Sequence, residues 1–150
     1  MTTAFDVPAN DLINALTKKL ENEPSIVPPE WSKYVRTGVH TENPPMQKNW
    51  WHVRCASILR KIYISNGIGA ERLRQLYGGF RDRGSKPNRA RAGSGSIARE
   101  ALQQLEKAGY VTRVKGVGRV LTPKGRSFVD NTAHEIMQSI IEKQPELKKY

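Results

Sequence analysis

The segment FRDRGSKPNRARAGSG, residues 80–95, sets five cations, Arg81, Arg83, Lys86, Arg89 and Arg91, within eleven residues against a single acid, Asp82. Guanidinium groups pair with phosphate in a two-pronged fork and stack on bases, so such a run beside an aromatic, Phe80, is chemistry suited to nucleic acid. A second set lies upstream. Trp50, Arg54, Ser57 and Lys61 recur at i, i+4, i+7 and i+11, which places a flat aromatic, two cations and a hydroxyl along one side of a helix.

Catalysis and metal binding find less support. His40, His52 and His134 are dispersed, and neither a carboxylate pair nor a nucleophile with its base is evident. His52 and Cys55 at i, i+3 make two ligands of a metal site that would need three or four, so no metal and no cofactor is expected. Gly67-Ile68-Gly69 lacks the strand and third glycine of a dinucleotide fingerprint, and no Walker lysine motif occurs.

The charge distribution sharpens the first reading. The 150 residues hold 25 Lys and Arg against 14 Asp and Glu, a net charge of +11. Residues 1–49 carry five bases and six acids, residues 50–126 carry 17 and four, and residues 127–150 carry three and four. The excess is therefore local, and most of its bases are arginine. That predicts one polyanion-binding surface, RNA or DNA before a membrane face. The N-terminus has no apolar run of signal-peptide length, no stretch is apolar enough to span a bilayer, and one cysteine forms no internal disulfide. A soluble cytoplasmic protein, monomeric when free, is the expectation.

The elements that must position these groups follow from periodicity. Asn49–Ser65 is predicted as the central amphipathic helix: Trp51, Cys55, Ile58, Leu59 and Ile62 form its core stripe, with Asn49 as its cap and Asn66-Gly67 as its stop. Trp50 fits either an exposed stacking position or burial against the N-terminal helix. That first helix is read over Asp6–Asn22. Five prolines punctuate 24–45, with one helical turn at 29–35 whose Trp31 and Tyr34 are expected to cap the core. A short helix over 70–77 ends at Gly78-Gly79, and residues 80–95 read as an unstructured basic loop. A Ser96-capped helix over 97–108 leads into a hairpin at 110–121, and Thr122-Pro123 starts a helix to about Lys143, leaving 144–150 to fray. The prediction is a single domain over 1–150, with an N-terminal helix and Pro-rich segment over 1–48 and a core over 49–143. Its class is mainly α: a winged-helix-like helical bundle around a central amphipathic helix, with one β-hairpin.

Asn49-Trp50, Arg54, Ala56 and Ser57, Tyr77-Gly78-Gly79, Gly93-Ser94 with Ser96-Ile97-Ala98-Arg99, Leu121-Thr122-Pro123-Lys124-Gly125, and the early Pro29-Glu30-Trp31 follow one another along the chain. Together they resemble the archaeal and eukaryotic small-subunit ribosomal protein family S19e across nearly the whole sequence. The resemblance implies a structural protein of the small ribosomal subunit, bound to ribosomal RNA in the head and to neighbouring ribosomal proteins, and needed for subunit maturation. It carries RNA-contacting roles onto Trp50, Arg54, Arg60, Gly78, Gly79, Arg81, Arg83 and Arg99. The residues' own charge adds Lys61, Lys86, Arg89, Arg91, Lys115 and Arg119. Two departures stand out. An Arg commonly follows the family's Gly-Gly pair and a His-Phe pair follows the loop proline, where this chain has Phe80, and Arg89-Ala90. The alternative is a winged-helix transcription regulator whose helix 97–108 reads a DNA major groove through Arg99, Gln103, Gln104 and Lys107, with Lys115 to Arg119 as a wing on the backbone.

Overall fold

The computed structural model describes residues 2–149, with side-chain surroundings given through Leu147. In chain order the elements are α1 (Ala9–Glu21), a 3-10 turn (Glu30–Lys33), α2 (Trp50–Ser65), α3 (Ala70–Leu76), β1 (Gly79–Arg83), β2 (Lys86–Arg91), α4 (Gly95–Lys107), β3 (Val111–Val114), β4 (Gly118–Leu121), α5 (Pro123–Lys143) and a closing 3-10 turn (Pro145–Lys149). The tail expected to fray holds this last turn, and Tyr150 lies outside the described residues. The winged-helix order α2, α3, α4, β3, β4 is present, so the mainly α class stands.

α2 is central because its apolar stripe meets partners on several sides: α1, α4, α5 and β4 all pack against it. Trp51, Cys55, Ile58, Leu59 and Ile62 are at most 1% exposed, as the 3.6-residue spacing requires. Each such side chain contributes about 1.5–3 kcal/mol of transfer free energy. Trp51 also satisfies its one polar atom. Its indole N–H donates to Gln104 Oε1 at 3.0 Å, while Gln104 Nε2 donates to the Val27 carbonyl at 2.8 Å. Asn66 ends α2 with φ of 52°, the left-handed turn expected of an Asn-Gly stop.

Three details depart from the sequence reading. Asn49 makes no cap bond; its Nδ2 donates instead to Glu21 Oε1 at 2.8 Å, tying the start of α2 to the end of α1. Ser94, not Ser96, caps α4, because its Oγ reaches the Ile97 N–H (3.4 Å) and the helix begins two residues earlier than expected. The basic segment is not a loop but a second hairpin, β1 with β2. Its turn chemistry is local: the Gly84 N–H donates to Asp82 Oδ1 at 2.9 Å, and Gly84 takes a φ of 69°.

The LTPKG motif proves to be a knot between α4, the β3–β4 hairpin and α5. Thr122 Oγ1 accepts from the Gly125 N–H and donates to the Gly109 carbonyl, 3.1 and 2.7 Å away. Lys124 Nζ donates to the Ala108 carbonyl at 2.9 Å, closing the C-terminal end of α4. A Cβ on residue 125 would run into the Tyr110 carbonyl, so only glycine fits there.

Candidate nucleic-acid interface

The register of β1 and β2 places Arg81 opposite Arg89 and Gly79 opposite Arg91, with Phe80 opposite Ala90. Because side chains alternate across a strand, Arg81, Arg83, Arg89 and Arg91 share one face, and Phe80, Asp82 and Ala90 share the other. A bulge between Arg81 and Arg83 shifts the pairing, so that Arg83 faces Lys86. β2 is exposed along its whole length, and Phe80 is 75% exposed. Like charges set directly opposite destabilise a strand pair, and an isolated two-stranded ribbon is marginal in water. The hairpin spends stability on concentrating positive charge, which a phosphate backbone would recover.

Glycine serves the root of this hairpin. A Cβ on Gly78 would strike the Arg91 carbonyl, and one on Gly79 would sit 3.0 Å from the His40 ring. Gly78 and Gly79 thus have a packing role whatever they contact outside.

The α2 stripe is partly occupied from within. The Arg54 guanidinium lies 4.0 Å from the Tyr77 ring centroid and Lys61 Nζ 5.2 Å from it, while the Tyr77 hydroxyl donates to Ser57 Oγ at 2.7 Å. Burial lowers the Arg54 pKa, disfavouring its cation, and raises that of Tyr77, favouring its neutral phenol. Trp50 is half-buried with its ring edge-on to Trp51, centroids 5.5 Å apart. Trp50, Arg54, Ser57 and Tyr77 line a groove of about 270 Å³ together with Thr37 and Gln47.

The remaining candidates separate. Arg99 and Lys115 are exposed, on α4 and on the β3–β4 turn. Arg119 is drawn inward: its Nη2 lies 3.7 Å from Glu106 Oε2, and its backbone exchanges hydrogen bonds with Ile68. Arg60 is half-buried, and its Nε finds no partner among the described residues. The structure therefore gathers Arg81, Arg83, Arg89 and Arg91 on one face, Trp50 and Arg54 with Lys61 around Tyr77, and leaves Arg60, Arg99, Lys115 and Arg119 apart.

Some residues were misread. Tyr34, expected to cap the core, is 82% exposed, and Trp31 is 37% exposed with its ring edge-on to Trp51. Tyr77, packed against the core, is the base on which two cations rest. Gln104, assigned to the DNA-reading face, is buried and committed to Trp51. Residues 31–44 also wall the first turn of α4, where Gly38 bridges Gly93 and the Ser94 N–H donates to the Thr37 carbonyl. A recognition helix needs that end free to enter a groove, so the regulator reading loses its geometry. His52 Nε2 lies 3.3 Å from the Ile26 carbonyl and Cys55 is a buried thiol pushed up to about 12 by desolvation, which is not the state of a metal ligand.

The sequence pattern of the family described as Ribosomal protein S19e matches residues 3–139. The small ribosomal subunit protein eS19 of Aeropyrum pernix is 48% identical over 152 aligned positions, which cover 100% of this chain and 99% of that protein. The protein of the same name from Thermoplasma acidophilum is 44% identical over 150 positions, again covering 100% and 99%. The eS19B protein of Schizosaccharomyces pombe is 36% identical over 133 positions, 89% of this chain and 93% of its own length.

Proposed function

The chain belongs to the ribosomal protein S19e family, and from that premise we propose that it is a structural constituent of the small ribosomal subunit that binds ribosomal RNA in the subunit head. It works on the cytoplasmic ribosome as a single domain beside other small-subunit proteins, is needed for the subunit's maturation, and is not an enzyme. The observation that carries the RNA contact is the register of β1 and β2, which ranks Arg81, Arg89 and Arg91, all exposed, with a half-buried Arg83 on one face. Double-stranded RNA is held chiefly by shape and backbone, and a twisted ribbon with cations on one side follows a phosphate path without reading sequence. Trp50 and Arg54, posed by Tyr77, form a second contact, with Arg99 and Lys115 as outlying cations.

The test is sedimentation of a native extract through a sucrose gradient before and after a high-salt wash. The protein should travel with small-subunit RNA and stay there in moderate salt. Recovery at the top of the gradient as free protein or dimer would overturn the reading.

A further inference from the structure

A concavity of about 920 Å³ lies between residues 31–44 and the segment that runs from β2 into α4. We propose that this cleft receives one unpaired nucleotide of the bound RNA, its base on Tyr34 and Trp31 and its phosphate on Arg99 and Arg36; the proposal rests on the RNA-binding reading above. The volume suits a ligand of nucleotide size.

The walls carry three chemistries together. Tyr34 is 82% exposed, an expensive position for an aromatic, and Trp31, on the same cleft lining, is fixed by an edge-on contact with Trp51, 5.8 Å between centroids. Trp51 is itself held by Gln104, so one plane of the site is rigid. Arg99 is exposed and makes no hydrogen bond or ion pair among the described residues, and Arg36 uses only one donor, on the Thr41 carbonyl at 3.2 Å. Arg74 belongs to the floor, its Nη1 held by both Glu71 oxygens and its Nε by the Gly93 carbonyl. Glu42 and Glu100 complete the wall.

A bare phosphate would leave the aromatics and carboxylates unused, and an acidic peptide would offer the carboxylates no donor beyond its backbone. A nucleotide uses all three: a ring to stack, amino groups for a carboxylate to accept from, and a phosphate for guanidinium. The path is continuous as well. β2 ends at Arg91, and Ala92 and Gly93 form part of the cleft lining, so a strand following the hairpin's cationic face is delivered to the opening.

The experiment compares the full chain with Tyr34→Ala, Tyr34→Phe and the triple variant Arg81→Ala/Arg83→Ala/Arg89→Ala, each titrated with a single-stranded RNA octamer and with a 16-base-pair RNA duplex. Tyr34→Ala should lose about tenfold in octamer affinity with duplex affinity unchanged, and Tyr34→Phe should keep both. The triple variant should weaken on both probes. Equal behaviour of Tyr34→Ala and wild type on the octamer would overturn the cleft while leaving the hairpin's role intact. If the wild type bound neither probe, the RNA reading itself would fall and the cleft with it. Cross-linking of purified small subunits that joined Tyr34 to a protein and not to RNA would likewise overturn the proposal.

Discussion

The two hairpins have nearly the same length and opposite energetics. β3–β4 is sewn into the fold: Val111 is 2% exposed, Ile68 and Arg119 exchange backbone hydrogen bonds, and the Thr122–Gly125 knot closes its base. β1–β2 touches the fold at its root, and its ladder sets cation against cation. One is held by what lies beneath it; the other is arranged for what arrives from outside. Strand pairing alone therefore says little about where stability comes from.

The largest effect should come from breaking the knot. Gly125→Val forces a side chain into the Tyr110 carbonyl and should cost about 3 kcal/mol in urea unfolding, with β3–β4 loosened first. A loss under about 1 kcal/mol would mean the knot is not what anchors this hairpin.

The opposite intervention sharpens the contrast. Arg81→Ala/Arg83→Ala/Arg89→Ala should leave the urea midpoint unchanged or slightly raised, since it removes like-charge pairs, while the slope of log affinity for RNA against log salt falls by about 2–3. An unchanged slope would take the hairpin out of the interface. Amide hydrogen exchange separates the two directly. In the free chain β1–β2 amides should exchange faster than those of β3–β4, and RNA should slow only the former. Equal protection in the free chain would erase the distinction.

An effect confined to alkaline pH concerns the core on which both hairpins stand. Burial raises the folded Cys55 thiol to about 12 from its ordinary 9.0, so between these values the folded chain keeps a proton that the unfolded chain releases. Stability from this group is complete below about pH 9 and declines from pH 9 to 12. Thermal melts of Cys55→Ala and wild type over that range should converge as pH rises; a constant gap would show that the thiol does not titrate differentially.

What could be read from the sequence was what depends on periodicity. The α2 stripe, the β3–β4 hairpin and the Thr122 cap follow from spacings of 3.6 and 2 residues and from a Thr-Pro start, and each is present. The β1–β2 hairpin escaped because its strands have no apolar face to alternate with a polar one; only the Asp82–Gly84 turn could have announced it. Tyr34 and Gln104 were misassigned for a related reason. An aromatic in a Pro-rich stretch resembles an anchor and a glutamine on a helix resembles surface; only the fold shows that Trp31 and not Tyr34 meets Trp51, and that Gln104 does. Charge was locally legible, yet how Arg54 and Lys61 share Tyr77 is a fact of packing between α2 and the end of α3.

The cationic hairpin leaves the fold and returns to it at one place, with Gly79 paired to Arg91 and the Gly93 N–H donating to the Arg74 carbonyl at 2.8 Å. Its stem is therefore a hinge-like port of fixed width, and its tip is free in length. Residues could be inserted or removed in matched pairs, each pair changing the reach by about 3.4 Å, without moving any buried atom. Such an arm can be lengthened or shortened to suit a partner of changing size while the helical body stays as it is.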